Sequence, residues 1–472
     1  MEPTTEQHKV IETPAETVLV SAFAGTGKTA TLRMFAEARP GQKILYLAFN
    51  RAIAKEANEK FQDLRNVEAR TIHSLAFRFV GYQYKHRLGN IRPLDLQKKG
   101  VVNNYKDASF VLNTLQSFCG SSAKGFNDLS LPVSSKVRAV KHLSTLWKMI
   151  LDENSGLPMP HDVYLKLFQL DTPRLPYDYI LIDEAQDLTD CVIDIVRQQP
   201  ATQVFVGDSH QQIYSWRGAV DSLQKLSGNA QHLYLTQSFR CPQYAADIAN
   251  RYLRLLDAPK DFYGLEAPEI TNNQRAFIAR TNAYIFEQAA QMDLKNQNVH
   301  FLGGFDHFKF RSIVDARKLL DGKPGEVQDP FMRNFKSAED FVRYVEEAEE
   351  FDLKTRLEIA RSRPDAERVY NYLRENCVKS QSAADSVLTT AHKVKGQEFR
   401  RVHILGDFLD VSEVVGKARK KKVELRAEEL NLLYVAITRT LEHLVIPPGF
   451  LLDEDTISKF RYFVNKGNIE LK

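Results

Sequence analysis

The segment Ala24-Gly25-Thr26-Gly27-Lys28-Thr29 follows an apolar run, residues 17–23, and precedes a helix-forming stretch over Ala30–Ala38. A strand, a glycine-rich turn and a helix opening on Gly-Lys-Thr make a phosphate-binding loop. Glycines let backbone N–H groups turn inward onto phosphate oxygens, and the helix N-terminus adds partial positive charge. In that geometry Gly25, Thr26 and Gly27 cradle the phosphates of ATP, Lys28 reaches the β- and γ-phosphates, and the Thr29 hydroxyl holds Mg²⁺. The strict pattern has Gly where this chain has Ala22, and the bare alternative is a tight turn with an incidental lysine. A second run, Tyr179-Ile180-Leu181-Ile182, reads as a short buried strand ending in Asp183-Glu184-Ala185-Gln186. Asp183 suits Mg²⁺, directly or through water, and Glu184 suits the proton of an attacking water. Alone, such an acidic pair is a helix cap or a surface turn. Beside a phosphate loop, it is what metal-assisted phosphoryl transfer needs.

The elements that must position these residues belong to a sizeable globular chain. The sequence has 472 residues, 43% hydrophobic and 26% charged, enough for two to four domains of about 100–200 residues. Disorder, collagen and a disulfide-rich miniprotein are excluded. Net charge is only +4, from 64 basic and 60 acidic residues, so this is no histone-like coater. A nucleic-acid partner must be held by local placement of charge. The cysteines Cys119, Cys191, Cys241 and Cys377 lack zinc or iron–sulfur spacing and suit a reducing compartment. The N-terminus lacks signal-peptide character, and no apolar run approaches the ~18–20 residues of a membrane helix. The expectation is a soluble, intracellular protein without membrane contact.

The full motif order resembles that of a superfamily 1A DNA helicase of the UvrD/Rep/PcrA type. Gln7 lies upstream of the phosphate loop. Leu47-Ala48-Phe49-Asn50-Arg51 follows the second strand and resembles the single-strand-contacting motif, and Thr71-Ile72-His73-Ser74 resembles the next motif. Val206-Gly207-Asp208-Ser209-His210-Gln211-Gln212-Ile213-Tyr214-Ser215-Trp216-Arg217-Gly218 and Leu235-Thr236-Gln237-Ser238-Phe239-Arg240 come next. Residues 390–399 and 433–439, containing His392, Glu398 and Arg439, complete the set. Within that group the chain most resembles the helicase core of the F-box DNA helicase family. The phosphate loop begins within thirty residues of Met1, so no F-box is expected, and ubiquitin-ligase function is not carried over.

The resemblance implies a role for each matched residue. Gln7 reads adenine, Phe239 stacks on it, and Glu398 reaches the ribose. Gln211 contacts the γ-phosphate, with Gln212 leaving a one-residue ambiguity. Arg240 and Arg439 act as arginine fingers, since a guanidinium stays charged and grips phosphate bidentately. Phe49, Asn50, Tyr214, Trp216 and Arg217 contact DNA, where stacking is worth about 1–3 kcal/mol per base whatever the sequence. Trp216 lies in a polar, glycine-bounded segment, whereas Trp147 lies in an apolar one and reads as core. Thr71, His73 and His392 either bind DNA phosphates or order their loops.

The implied fold is α/β. It has two RecA-like P-loop NTPase motor domains with parallel sheets, each interrupted by a mainly helical insertion, with ATP in the cleft between them. Residues 1–73 and 166–240 form motor domain 1A, interrupted by subdomain 1B (74–165). Residues 241–304 and 381–472 form 2A, interrupted by a short 2B (305–380) and closing with the strand Leu444-Val445-Ile446. Residues 338–352 carry seven acids and one base, as a solvated helical face. Residues 416–426 carry six bases and one acid, either a basic loop near DNA or a flexible insertion. The implied activity is an ATP-dependent single-stranded-DNA translocase and 3′–5′ helicase in DNA repair or recombination, acting at single-strand/duplex junctions. Alternatives are a remodeller stripping proteins from DNA and an ATPase subunit of a larger defence or recombination complex. Expected locations are the cytoplasm and nucleoid in a prokaryote or virus, and the nucleus in a eukaryote.

Overall fold

The computed structural model describes residues 2–131, 133–213, 220–266, 269, 273–348 and 351–472. The chain divides into two compact units, Met1–Thr236 and Gln237–Lys472.

The first unit is built on β1 (Thr17–Ala22), β2 (Ile44–Ala48), β3 (Val67–Thr71), β4 (Tyr179–Ile182), β5 (Thr202–Gly207) and β6 (Gln231–Leu235). They form one parallel sheet in the order β3-β2-β4-β5-β1-β6. Parallel strands covered on both faces read as continuous apolar runs, and every residue of β2 is buried. The order brings β4 and β5 between β1 and β2, so the ends of β1 and β4 carry the phosphate loop and the acidic pair to one edge of the sheet.

Helices α1 (Thr5–Glu12), α2 (Lys28–Glu37) and α3 (Arg51–Lys60) connect and flank these strands. Between β3 and β4 the chain is helical: α4 (Ile72–Phe79), α5 (Pro93–Lys98), α6 (Tyr105–Gly120), α7 (Val133–Leu151) and α8 (His161–Asp171). Trp147 sits in this insertion, half-buried, with its ring edge-on to Phe118 and Phe126 at 5.4 and 5.8 Å between centroids, packed against the core its apolar neighbours predict. Lys166 is fully buried and donates to the carbonyls of Ser121 and Ala123 at 3.0 and 2.5 Å, pinning the loop after α6.

In the second unit β7 (Gln237–Pro242) pairs with β8 (Tyr263–Leu265). The main sheet comprises β9 (Arg275–Ala279), β10 (Val299–Phe301), β11 (Ser386–Thr390), β12 (Phe399–Ile404) and β14 (Thr440–Val445), with β13 (Val423–Leu425) and β15 (Ile469–Leu471) paired apart. The main sheet is parallel throughout, in the order β10-β11-β9-β12-β14. Among the described residues, the α-helices Arg311–Leu320, Ala338–Ala348, Phe351–Ser362 and Ala366–Asn376 fall between β10 and β11. The α/β class with two parallel-sheet units is therefore realised.

Two expectations are corrected. Residues 416–426 are a loop only over 419–422, an exposed basic turn. They finish the helix Val411–Ala418 and enter β13, and Lys422 and Lys472 pair with Glu470 and Glu424 across β13 and β15 at 2.6 Å each. The last strand of the main sheet is Thr440–Val445, and the chain continues through the helix Glu454–Asn465 to β15. Among the described residues, no helix is long and apolar enough to cross a membrane.

Candidate functional site

After β1 the chain turns through Gly25 (φ 73°) and Gly27 (φ 79°), in the left-handed region that glycine enters without steric cost. Gly27 is the N-cap of α2, and no side chain caps that end. The first N–H groups of a helix lack intrahelical partners, and an anion satisfies them. The helix begins at Lys28, two residues before the expected start, which places Lys28 and Thr29 on its first turn.

Asp183, at the end of β4, accepts three hydrogen bonds. Thr29 Oγ1 donates to its Oδ2 at 3.2 Å, the Tyr46 hydroxyl donates to the same oxygen at 2.5 Å, and the Glu184 N–H donates to Oδ1 at 2.9 Å. Burial, and then the neighbouring Glu184 charge, push the Asp183 carboxyl upward, while Lys28 pulls it down. Lys28 Nζ lies 4.0 Å from Glu184 Oε1. Glu184 itself has φ 55° and ψ 45°, a left-handed conformation that costs a non-glycine residue about 1–2 kcal/mol. Such strain persists where the surroundings over-determine it.

Those surroundings are a chain of amides. Gln186 Nε2 donates to Glu184 Oε2 at 2.5 Å, and Gln186 Oε1 accepts the Asp208 N–H at 3.0 Å. Asp208 Oδ2 accepts from Gln211 Nε2 at 2.8 Å. A Cβ at Gly207 would stand 2.4 Å from Gln186 Oε1 and 3.1 Å from the Ala185 nitrogen, so a side chain there breaks the chain of bonds. The acidic pair and Gln211 are thus joined through Gln186.

Gln7 is buried behind the loop. Its Oε1 accepts the Thr4 N–H at 2.9 Å, and its Nε2 donates to Thr31 Oγ1 at 3.1 Å. The Thr31 hydroxyl donates to the Gly27 carbonyl at 2.9 Å, which ties Gln7 to the phosphate loop. A primary amide has two acceptor lone pairs and two donor hydrogens, so capacity remains for the edge of a base.

Beside this cluster is a cavity of about 450 Å³, whose walls include Phe49, Asn50, Ile72, His73, Asp162 and Asp183. Asn50 caps α3, accepting from the Ile53 N–H at 2.9 Å, and His73 Nε2 lies 3.1 Å from Asp162 Oδ1. Thr71 does not line this cavity. It is 7% exposed and caps α4 by accepting the Ser74 N–H at 3.1 Å, so the contact seen is the ordering one. Tyr214, Trp216 and Arg217 lie outside the described residues.

In the second unit, Arg240 pairs with Glu398, bringing together two site residues far apart in sequence. Arg439 is 2% exposed, and its Nε donates to the Val435 carbonyl at 3.0 Å and its Nη2 to Thr438 Oγ1 at 3.2 Å. The thiol of Cys241 is pushed up to about 12 by burial, against the pull of the Arg439 and then the Arg240 charge. Phe239 is 39% exposed, open to a planar ligand. His392 is held down at about 4 by burial and then by Arg280, so it is neutral at pH 7.

Sequence reasoning missed three participants. Tyr46, on Asp183, is hidden inside an unbroken apolar strand. Gln186 reads in the sequence only as the last residue of the acidic motif, with no role of its own. Lys393, beside His392, is pushed down to about 8 by burial, with its ammonium 3.2 Å from the centroid of Phe308. The two lysines flanking Val394 are its only signal.

Comparison with known proteins agrees with this geometry. An AAA domain family matches residues 7–217. F-box DNA helicase 1 of Gallus gallus is 30% identical over 94% of this chain and 50% of its own length. F-box DNA helicase protein 1 of Schizosaccharomyces pombe is 31% identical over 97% of this chain and 58% of its own length. The ATP-dependent DNA helicase PcrA of Staphylococcus aureus is 24% identical over 53% of this chain and 40% of its own length. The chain spans about half the length of the curated relatives it matches. With its phosphate loop, acidic strand end and two parallel-sheet units, the chain carries a superfamily 1 helicase core of the UvrD/PcrA type.

Proposed function

We propose that this chain is an ATP-dependent single-stranded-DNA translocase and 3′–5′ DNA helicase, acting at single-strand/duplex junctions in DNA repair or recombination. One observation carries the reading. Asp183, hydrogen-bonded to Thr29 of the phosphate loop, also lines the cavity that holds Phe49, Asn50 and His73. A carboxylate common to both places links phosphate chemistry to strand contact.

The Thr29 hydroxyl and Asp183 carboxylate are hard oxygen donors of the kind Mg²⁺ takes. When bound, Mg²⁺ supplies charge neutralisation at the phosphate oxygens. Lys28 and the N–H groups of Gly25, Thr26 and Gly27 grip the phosphates, and Gln7 and Phe239 hold the base. Glu184 takes the proton of the attacking water, steered by Gln186. Gln211 reports the γ-phosphate, and Glu398 holds the ribose. Arg240 and Arg439 exchange their present partners for the γ-phosphate as arginine fingers. Thr71, His73, His392, Phe49, Asn50, Tyr214, Trp216 and Arg217 form or order the strand track. In this assignment 1–73 with 166–240 and 241–304 with 381–472 are the motor domains.

Tailed duplexes test the polarity: unwinding from 3′ overhangs is expected, and unwinding only from 5′ overhangs would overturn it. A second reading, protein displacement without processive unwinding, is favoured by the small size of the insertion over 305–380. Filament stripping measured beside strand separation distinguishes the two.

A further inference from the structure

A second cavity, of about 370 Å³, lies on the helical insertion of the first unit. Arg92, Lys98 and Lys99 line it, with Asn90 and Asp95, and the segment Gly156–Pro158 forms the facing wall. Over residues 85–99 the chain carries Lys85, Arg87, Arg92, Lys98 and Lys99 against the single acid Asp95. That local excess matches the net charge of the whole protein. Asp95 offsets only one of these five charges, and its Oδ2 is held by the Arg92 N–H at 2.8 Å in capping α5. Among the described residues, none of Arg92, Lys98 and Lys99 forms an ion pair.

The cavity is built by the fold. Arg87 Nη1 donates to the carbonyls of Ile150 and Leu157 at 2.8 and 3.2 Å. Met159 N–H donates to the Arg87 carbonyl at 2.7 Å, and Gly89 N–H donates to the Met159 carbonyl at 3.1 Å. These bonds zip Arg87–Gly89 to Leu157–Met159 and hold the two walls together. Gly89 permits the approach, since a Cβ there would stand 3.1 Å from Pro158 Cβ. Gly156 turns the facing wall with φ 72°, opposite Lys99. Arg87 adds a further positive charge behind the wall, its hydrogen bonds going to neutral carbonyls.

A fixed hollow with three unneutralised cations at its rim suits a phosphate ester, for which such cations supply most of the affinity. We propose that this cavity is a second phosphate site, in which Arg92, Lys98 and Lys99 hold a phosphodiester of the bound nucleic-acid strand. The inference rests on the strand-binding reading above and extends the track onto the insertion. The same chemistry could serve a free nucleotide, so the test has two arms.

In the first arm, the affinity of the full chain for a single-stranded oligonucleotide is measured across a salt series. The comparison is with the triple variant R92Q/K98Q/K99Q and with a control, Lys459→Gln, on the second unit. Removing one phosphate-neutralising cation lowers the log–log salt slope by about 0.7. Because the three cations together neutralise one phosphate, the triple variant is expected to drop by about one such step, the control by none, and K98R/K99R is expected to retain the slope. Thermal unfolding of the triple variant checks that it folds. In the second arm, the mononucleotide dTMP is titrated into Lys28→Ala and into Lys28→Ala carrying the triple change. An unaltered salt slope overturns the inference and leaves the helicase reading intact, and dTMP binding abolished by the triple change then reassigns the cavity to free nucleotides. An equal fall in the control also overturns it. A wild-type chain that binds no oligonucleotide overturns both readings.

Discussion

Lys28 Nζ stands 4.0 Å from Glu184 Oε1, across the gap between the first turn of α2 and the end of β4. In the proposed mechanism the lysine takes a phosphate and the glutamate takes the proton of a water. Under that mechanism an incoming triphosphate would open this contact. Glu184→Gln keeps the shape and removes the base, and general-base loss typically costs about 10²–10⁴ in rate. Glu184→Gln and Lys28→Ala should each abolish ATP turnover while oligonucleotide binding survives. Retained turnover in both removes these residues from the chemistry.

Gly207 and Gln186 offer a test of the strained carboxylate. Gly207→Ala drives a methyl into Gln186 Oε1, and overpacking of this kind costs about 1–3 kcal/mol. Denaturant unfolding should show that loss, and ATP turnover should fall with it because Gln186 no longer steers Glu184. A variant with wild-type stability and rate would show that the amide chain is not required.

Arg240 and Glu398 form an ion pair in the second unit. If Arg240 leaves this pair for the γ-phosphate, Arg240→Ala should lower kcat by about 10³–10⁵, as arginine fingers do elsewhere. Arg240→Lys should recover little, because an ammonium cannot grip two oxygens in a plane. A change in KM alone would assign Arg240 to nucleotide binding instead.

His392 sets a pH dependence. Its native pKa is about 4, below the ordinary histidine value, so the unfolded chain binds its proton first as pH falls. Stability from this group is complete above about pH 6.5 and is lost progressively toward pH 4. Between about pH 7.5 and 5.5 the wild type should lose about 1 kcal/mol more than His392→Gln, read by denaturant melts. Equal losses would mean that His392 is not held neutral.

Much of this site is legible in the residues alone, for physical reasons. Lys28, Thr29 and Asp183 are tied to backbone features, a glycine turn and a strand end, that leave marks at fixed spacing. Tyr46 leaves none, because β2 is buried on both faces and a hydroxyl in an apolar run has no periodic signature. The Arg240–Glu398 pair depends on how β7 and the start of β12 meet, which is tertiary information. Residues 416–426 read as one basic loop because six bases in a row of eleven hide the helix end and the short strand on either side of the turn. Only residues 423–425 are ordered by pairing with β15 at the far end of the chain, and 419–422 are an exposed turn.

Phosphate chemistry at Lys28, Thr29, Asp183 and Glu184 should be coupled to strand contact in the cavity beside it. The most direct measurement is the steady-state ATPase rate with and without saturating single-stranded DNA. The coupling predicts a several-fold rise on adding DNA that Glu184→Gln eliminates. A rate unchanged by DNA, in a protein shown to bind it, would contradict that coupling.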